Sequence, residues 1–221
     1  MRSFLTFGMV LVVCVIGIAG IQGLANAQYS WPFEGVVYDG VVCDADTGTN
    51  YASIQDAIDA ADPGDTIYVS SGNYGSIWSI VIDKELNLIG VDNGDGMPVL
   101  CWSGFTGIDI EADNVTVQGF KVIHKWNTGI YISGNNCKVT ENCIENSNTG
   151  ISVSGSYDIV SENMAYWNGY GIYVDGSYNI VLKNTGEHNH HGIYVEKHEN
   201  TASDNNMGAD EGTDLIPKFP V

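Results

Sequence analysis

Gly150-Ile151-Ser152-Val153, Gly171-Ile172-Tyr173-Val174 and Gly192-Ile193-Tyr194-Val195 repeat one pattern, and Gly107-Ile108-Asp109-Ile110 and Gly129-Ile130-Tyr131-Ile132 carry it earlier in the chain. The five glycines stand 22, 21, 21 and 21 residues apart. β-branched residues flanking one variable position read as a short strand. A strand that returns at this period, with a full loop of polypeptide between copies, runs the same way each time and cannot be a chain of hairpins. That is a solenoid in which each coil stacks on the last.

Thirteen residues after each of the last four repeat glycines stands an asparagine: Asn142, Asn163, Asn184 and Asn205, with Phe120 in that place in the first coil. A primary amide both donates and accepts, so identical residues stacked at the interstrand spacing of about 4.8 Å can bond up and down a column and to the turn backbone. The reading is an all-β fold, a single-stranded parallel β-helix of about six to seven coils, a rod core near 30 Å long, with Asn142, Asn163, Asn184 and Asn205 as an inward structural ladder.

Met1 and Arg2 precede an apolar run from Phe4 to Ile21, followed by Ala25-Asn26-Ala27, the small-x-small form of a cleavage site. Residues 1–27 therefore read as a signal peptide, 28–50 as an aromatic and acidic lead-in, 51–206 as the β-helix and 207–221 as a C-terminal tail. Past the leader no stretch is apolar enough for membrane insertion, so the expected location is secreted: extracellular, cell-surface or periplasmic. Arg2 is the sole arginine; beyond residue 27 stand seven lysines against 27 acidic residues, a formal balance of −20. Such a surface excludes nucleic acid as a partner. Of the four cysteines after the leader, Cys137 falls at an inward position shared with Val115, Asp158, Asn179 and Asn200, and Cys143 is expected to point outward, which argues against a bridge between them.

Ahead of the coils, Ser53-Ile54-Gln55-Asp56-Ala57-Ile58-Asp59-Ala60-Ala61 places Ile54, Ala57, Ile58 and Ala61 at helical spacing, and Asp62-Pro63-Gly64-Asp65 closes it. A short capping helix over the first coil follows. Strands are expected at residues 66–69, 80–82, 86–89 and 99–102, with Ile80-Val81-Ile82 one coil below Ile108-Asp109-Ile110. These segments, with Gly72-Asn73-Tyr74 and Leu86-Asn87-Leu88-Ile89-Gly90, resemble the N-terminal part of right-handed β-helix proteins of the pectate-lyase-like superfamily. The Gly-Ile-x-Ile coils with their ladder most resemble its NosD-like, periplasmic copper-binding subgroup. The resemblance implies right-handed winding and leaves activity open, since the superfamily holds lyases, hydrolases, esterases, surface proteins and accessory factors.

Lyases and esterases of this fold use arginine, which the chain lacks after the leader. Its hydrolases gather several aspartates on one outward strand surface. Here the outward place after each repeat Gly-Ile holds Asp109, Tyr131, Ser152, Tyr173 and Tyr194, so one coil in five offers a carboxylate, and Glu111 is its nearest companion. A carbohydrate-active enzyme is thus the third reading, with no catalytic residue assigned. The leading reading is a secreted, non-catalytic surface or binding component. Its ligand residues would be Tyr131, Tyr173 and Tyr194 with Trp126, Trp167 and Tyr170 on the following turns, and Asn146, Asn168 and Asn189 would pair with glycan hydroxyls.

The alternative is a NosD-like copper accessory protein. All five histidines lie in coils or turns, and Glu187-His188-Asn189-His190-His191 clusters His188, His190 and His191 as metal ligands, with His124 at an equivalent turn lower down. Calcium is the other cofactor candidate, at Asp44-Ala45-Asp46-Thr47-Gly48 and Asp92-Asn93-Gly94-Asp95-Gly96. Asn114-Val115-Thr116 is an N-glycosylation sequon. The last coil, with Ile193 and Val195, is expected to be open, so the partners to consider are glycan, cell-surface components and end-to-end self-association.

Overall fold

The computed structural model describes residues 41–206 except 76–77, 103–105 and 197–198. The expected leader, most of the lead-in and the C-terminal tail lie outside the described residues. Within them, twenty short strands and one helix build three sheets of nine, six and five strands. A regular coil takes one strand from each, as in Thr128–Ile132 of the six-stranded sheet, Lys138–Thr140 of the nine-stranded sheet and Cys143–Glu145 of the five-stranded sheet. The next coil repeats this with Thr149–Val153, Ile159–Ser161 and Met164–Tyr166. Pairing from coil to coil is parallel and in register, Ile108 on Ile130 on Ile151 on Ile172 on Ile193. The architecture is a parallel β-helix whose six-stranded sheet begins at Ile80–Ile82, under Ile108–Ile110 as expected.

Each inward position is an aliphatic column. Ile110, Ile132, Val153, Val174 and Val195 line one sheet and Val117, Val139, Val160 and Val181 another, all buried. Each such side chain contributes on the order of 1.5–3 kcal/mol by leaving water. The third sheet tapers inward through Val122, Ile144, Ala165 and Gly186. The repeat glycine answers a different need: a Cβ on Gly150 or Gly171 would lie 2.5 Å from the carbonyl oxygen of the next coil's glycine. No larger residue fits where coils approach so closely.

Three corners join the sheets, and each uses the same device. A residue with positive φ turns the chain outward at the tip, and the next residue points inward to bond the coil below. At the corner from the nine- to the five-stranded sheet, Glu141, Glu162 and Lys183 are the tips (φ 56°, 59° and 56°) and Asn142, Asn163 and Asn184 follow, fully buried. Asn142 Nδ2 donates to Asn163 Oδ1 (3.1 Å), Asn163 Nδ2 to Asn184 Oδ1 (3.0 Å) and Asn184 Nδ2 to Asn205 Oδ1 (3.1 Å). Each Oδ1 also accepts a backbone N–H from the coil below, down to Phe120 N. A left-handed non-glycine residue costs roughly 1–2 kcal/mol. The buried hydrogen bonds that follow offset it at about 1 kcal/mol each.

Two further ladders were not read from sequence as ladders. From the six- to the nine-stranded sheet, Cys137 N donates to Asp158 Oδ1, Asp158 N to Asn179 Oδ1 and Asn179 N to Asn200 Oδ1, at 2.7–2.8 Å. From the five- to the six-stranded sheet, Ser147 N donates to Asn168 Oδ1 (2.8 Å), and Asn168 N and Nδ2 donate to Asn189 Oδ1 (2.9 and 3.1 Å).

At the N-terminal end, Val42–Asp44 and Thr49–Tyr51 form an antiparallel hairpin that extends the nine-stranded sheet through Thr66–Ser70; the sequence reading had only an irregular lead-in there. The capping helix runs Ile54–Ala60, with Ser53 as N-cap accepting from Asp56 N. Its last turn carries no basic residue, and Lys84 Nζ supplies the cation by bonding Asp59 O and Ala61 O (3.1 and 3.2 Å).

Cys143 lies on the outward side of its strand with Glu145, opposite the inward Ile144, and is nevertheless buried there beside the Lys121–Glu145 ion pair (2.9 Å). One expectation needs correction. Ile193 and Val195, expected to be exposed on an open last coil, are buried. All four cysteines in the described residues are free thiols, and burial pushes those of Cys137 and Cys143 up to about 11.

Candidate binding face

The outward column of the six-stranded sheet carries Asp109, Tyr131, Ser152, Tyr173 and Tyr194 in register. Tyr173 and Tyr194 stack at a centroid distance of 5.4 Å and an interplanar angle of 5°, close to the coil spacing. Tyr170, on the same strand as Tyr173, sits edge-on to both and stacks on His191 at 4.8 Å. At the adjoining corner Trp167 stacks on His188 (5.3 Å, 7°), and Tyr166 is tilted against Trp167. The structure thus brings Trp167, Tyr170, Tyr173 and Tyr194 together with His188 and His191 into one band around a corner.

Tyr131 and Trp126 lie apart from this band. Ser152 separates Tyr131 from Tyr173, and Tyr131 Oη accepts from Ser154 Oγ (2.7 Å). Trp126 stands two coils below Trp167 on the same corner, 89% exposed, in a turn one residue longer than the later ones. Asn146 occupies the tip between them and is exposed. Asn168 and Asn189, expected to face a ligand, are instead the buried third ladder. The Tyr173 hydroxyl donates to Glu196 Oε1 (2.7 Å), and that bond, helped by burial and nearby carboxylates, raises its pKa.

The stacking has a chemical consequence. A ring stacked along the rod axis spends one face on its neighbour and offers solvent its edge and hydroxyl. Within the Tyr173–Tyr194 pair the facing surfaces are closed to a sugar. Trp167 has His188 on one side and, toward the coil below, only the short Asn146.

The histidines do not gather as expected. His188 is committed to Trp167, while His190 and His191 pack ring against ring at 4.4 Å beyond the buried Asn189. His124 is wholly buried on the strand Lys121–His124 rather than in a turn, and His198 lies outside the described residues. Among the described residues no group of three or more His, Cys, Asp or Glu side chains is placed to hold a metal ion. The acidic loops turn their oxygens to the backbone: Asp44 Oδ1 accepts from Asp46 N and Thr47 N, and Asp92 Oδ1 from Gly94 N and Gly96 N. These are turn caps.

A cleft that sequence reading missed lies between the helix and the first coils, lined by Ser53, Gln55, Tyr74, Trp78 and Asp109. Gln55 is engaged with Val81 N and O. Asp109 Oδ1 is buried without a hydrogen bond, and burial, then the charge of Glu111, raises its pKa.

The coils and their ladders define a parallel β-helix repeat protein. The sequence model of the periplasmic copper-binding protein (NosD) family matches residues 60–216, and the chain belongs to that family. A cell surface glycoprotein of Methanothermus fervidus is 31% identical over 150 residues, 66% of this chain and 22% of that protein. The chain thus spans about a fifth of that relative's length. Among solved structures, ORF18 of Geobacillus virus E2 superimposes with a TM-score of 0.56 over 69% of this chain and 37% of its own, at 14% identity, a likeness of fold alone. No helix among the described residues is long and apolar enough to cross a membrane.

Proposed function

We propose that this protein is an exported, non-catalytic β-helix component of the cell surface that presents its polar-aromatic corner to glycan. The carrying observation is the corner between the five- and six-stranded sheets, where Trp126 and Trp167 flank Asn146 with the Tyr170–Tyr173–Tyr194 edges alongside. Two coils separate the indoles, about 10 Å at the interstrand spacing. A pyranose ring entering there lies its C–H face on Trp167 and pairs its hydroxyls with the Asn146 amide and the tyrosine edges. The relationship to a cell surface glycoprotein supports the location, and the family's periplasmic membership is consistent with export.

The test is retention of the folded protein on cell-wall polysaccharides and a panel of soluble oligosaccharides. Replacing Trp126 and Trp167 together by Ala removes two aromatic contacts of about 0.5–1.5 kcal/mol each, so affinity falls roughly 5- to 150-fold. The circular dichroism spectrum stays unchanged, because both residues lie outside the ladders. Equal binding by the double variant, or no binding to any polysaccharide by the parent, defeats the glycan reading.

A second reading, copper handling, draws on the family and on the His190–His191 pair. Two imidazoles make an incomplete donor set for a held copper ion, and nothing among the described residues closes it. We therefore assign these histidines no structural metal.

A further inference from the structure

The sequon Asn114-Val115-Thr116 sits at the foot of an exposed column that the proposed glycan face does not include. Asn114 is a corner tip (φ 59°), exposed, one residue before the buried Val115. Above it, in the same place on successive coils, stand Asn136, Tyr157 and Tyr178 (φ 55°, 64° and 61°). Thr116 stands in the neighbouring outward column, above Asn87, and the column continues through Lys138, Ile159 and Ile180.

These columns carry exposed apolar surface. Tyr157 and Tyr178 are 59% and 52% exposed, and Ile159 and Ile180 are 36% and 40% exposed. The two tyrosines stack at 5.1 Å and 7°. One face of Tyr157 is therefore taken by Tyr178, and the other looks down the column toward Asn136 and Asn114. Tyr157 lies two coils above Asn114, about 10 Å at the interstrand spacing.

We infer that Asn114 carries an N-linked glycan whose first sugars run up this corner over Asn136 and rest on the open face of Tyr157. The inference takes from the proposed function only that the chain is exported. In the attachment step the Asn114 amide nitrogen bonds to C1 of the first sugar of a polyisoprenyl-pyrophosphate-linked oligosaccharide. The C1–oxygen bond to the pyrophosphate breaks, the lipid pyrophosphate leaves, and the amide nitrogen loses one proton. An oligosaccharyltransferase of the export route supplies donor and catalysis. The Nδ2 atom is available in the fold, its one hydrogen-bond partner among the described residues being Glu85 Oε2 at 3.5 Å, at the far limit of a hydrogen bond. Thr116 supplies the hydroxyl that the sequon requires.

The experiment expresses the full chain with its own N-terminal segment in a yeast and in an archaeal host, each competent for N-glycosylation, and maps peptides of the exported protein by mass spectrometry. The peptide containing Asn114 is expected to carry a glycan mass. Asn114→Gln and Thr116→Val lose it, while Thr116→Ser keeps it and shows that a strand substitution there does not itself prevent folding. The packing is read separately: removing the glycan enzymatically lowers the melting temperature of the parent and leaves that of the Tyr157→Ser, Tyr178→Ser variant unmoved. Unmodified Asn114 in exported protein from both hosts overturns the inference and leaves the surface reading standing. An equal melting shift in parent and tyrosine variant overturns the resting place on Tyr157.

Discussion

Asp158 is an acid where its column has amides, and the fold predicts what that does to stability. In the coils above, Asn179 Nδ2 donates to Gly155 O (3.0 Å) and Asn200 Nδ2 to Gly176 O (2.9 Å). The same step back from Asp158 leads to Gly134 O, and both this oxygen and Asp158 Oδ2 lie within 3 Å of where a Cβ on Gly155 would stand. Oδ1 accepts from Cys137 N, but Oδ2 is buried without a hydrogen bond. Two oxygens facing each other need a proton between them. Burial raises the Asp158 pKa from 3.8 to about 7; the bond from Cys137 N opposes the rise, and the charge of Asp113 adds to it. The Cys137 thiol beside it stays neutral over this range, its own pKa pushed up to about 11.

Between pH 4 and 7 the folded chain therefore holds a proton that the unfolded chain has released, and stability falls as pH rises through that window. At about 1.4 kcal/mol per pH unit the full swing is roughly 4 kcal/mol; with solvent one layer away at the corner, roughly 2–4 kcal/mol is expected. Asp158→Asn restores the amide donor, so it gains that amount over the parent at pH 8 and little or nothing at pH 4. Urea midpoints of both proteins at pH 4, 5.5, 7 and 8 give the comparison, and their difference cancels the general repulsion among the other acidic groups. Parallel pH profiles, or a variant less stable than the parent at pH 8, would refute the argument.

Two other outcomes follow from the geometry. Asn163→Leu removes the acceptor of Asn142 N and the amide donor to Val139 O, and leaves Asn142 Nδ2 with Val117 O as its remaining partner; at roughly 1–3 kcal/mol per buried unsatisfied group it costs at least about 2 kcal/mol, and an unchanged urea midpoint would show that the ladder is not structural. In copper titrations followed by calorimetry, His188→Ala binds as the parent does, because that ring is stacked on Trp167, whereas His190→Ala with His191→Ala abolishes the uptake the parent shows; the opposite ranking would place the metal at His188.

What the sequence revealed and what it hid have one physical source. A period of 21 tells which residues share a column, so the Gly-Ile-x-Ile strands and the Asn142–Asn205 ladder were legible; the helix at Ile54–Ala60 was legible from its own apolar spacing. It does not tell which residues of a corner point in. That depends on where the single left-handed residue falls, and Trp167 and His188 take that conformation where glycine or asparagine is the usual signal. Asn168 and Asn189 consequently read as surface amides although they are buried one residue later. The second column was legible as inward, but its mixed chemistry, a thiol, a carboxylate and two amides, gave no sign of the hydrogen bonds that make it a ladder. The Tyr157–Tyr178 stack had a visible signal, Gly-Ser-Tyr repeated at residues 155–157 and 176–178, but these tyrosines stand at corner tips, where strand alternation does not point.

The corners also explain why such a fold can serve unlike purposes. The left-handed tip must point outward and its successor inward, so the successor is bound to ladder chemistry while the tip is free to vary. In this chain the three sets of tips differ. Glu141, Glu162 and Lys183 make a charged corner, with a solvent-exposed Lys183–Glu162 pair at 3.5 Å that adds little. Asn114, Asn136, Tyr157 and Tyr178 make an amide-to-aromatic corner, and Asn146, Trp167 and His188 a corner of indole and imidazole. A change of ligand needs new tips and no new core, because tip side chains stack on each other outside the ladders. Family membership therefore constrains the coil strongly and the ligand weakly. On the proposed binding role, specificity lies in the third-corner tips Asn146, Trp167 and His188 and their neighbours Trp126 and Tyr170, and substitutions there are expected to change binding without changing the unfolding free energy by more than about 0.5 kcal/mol.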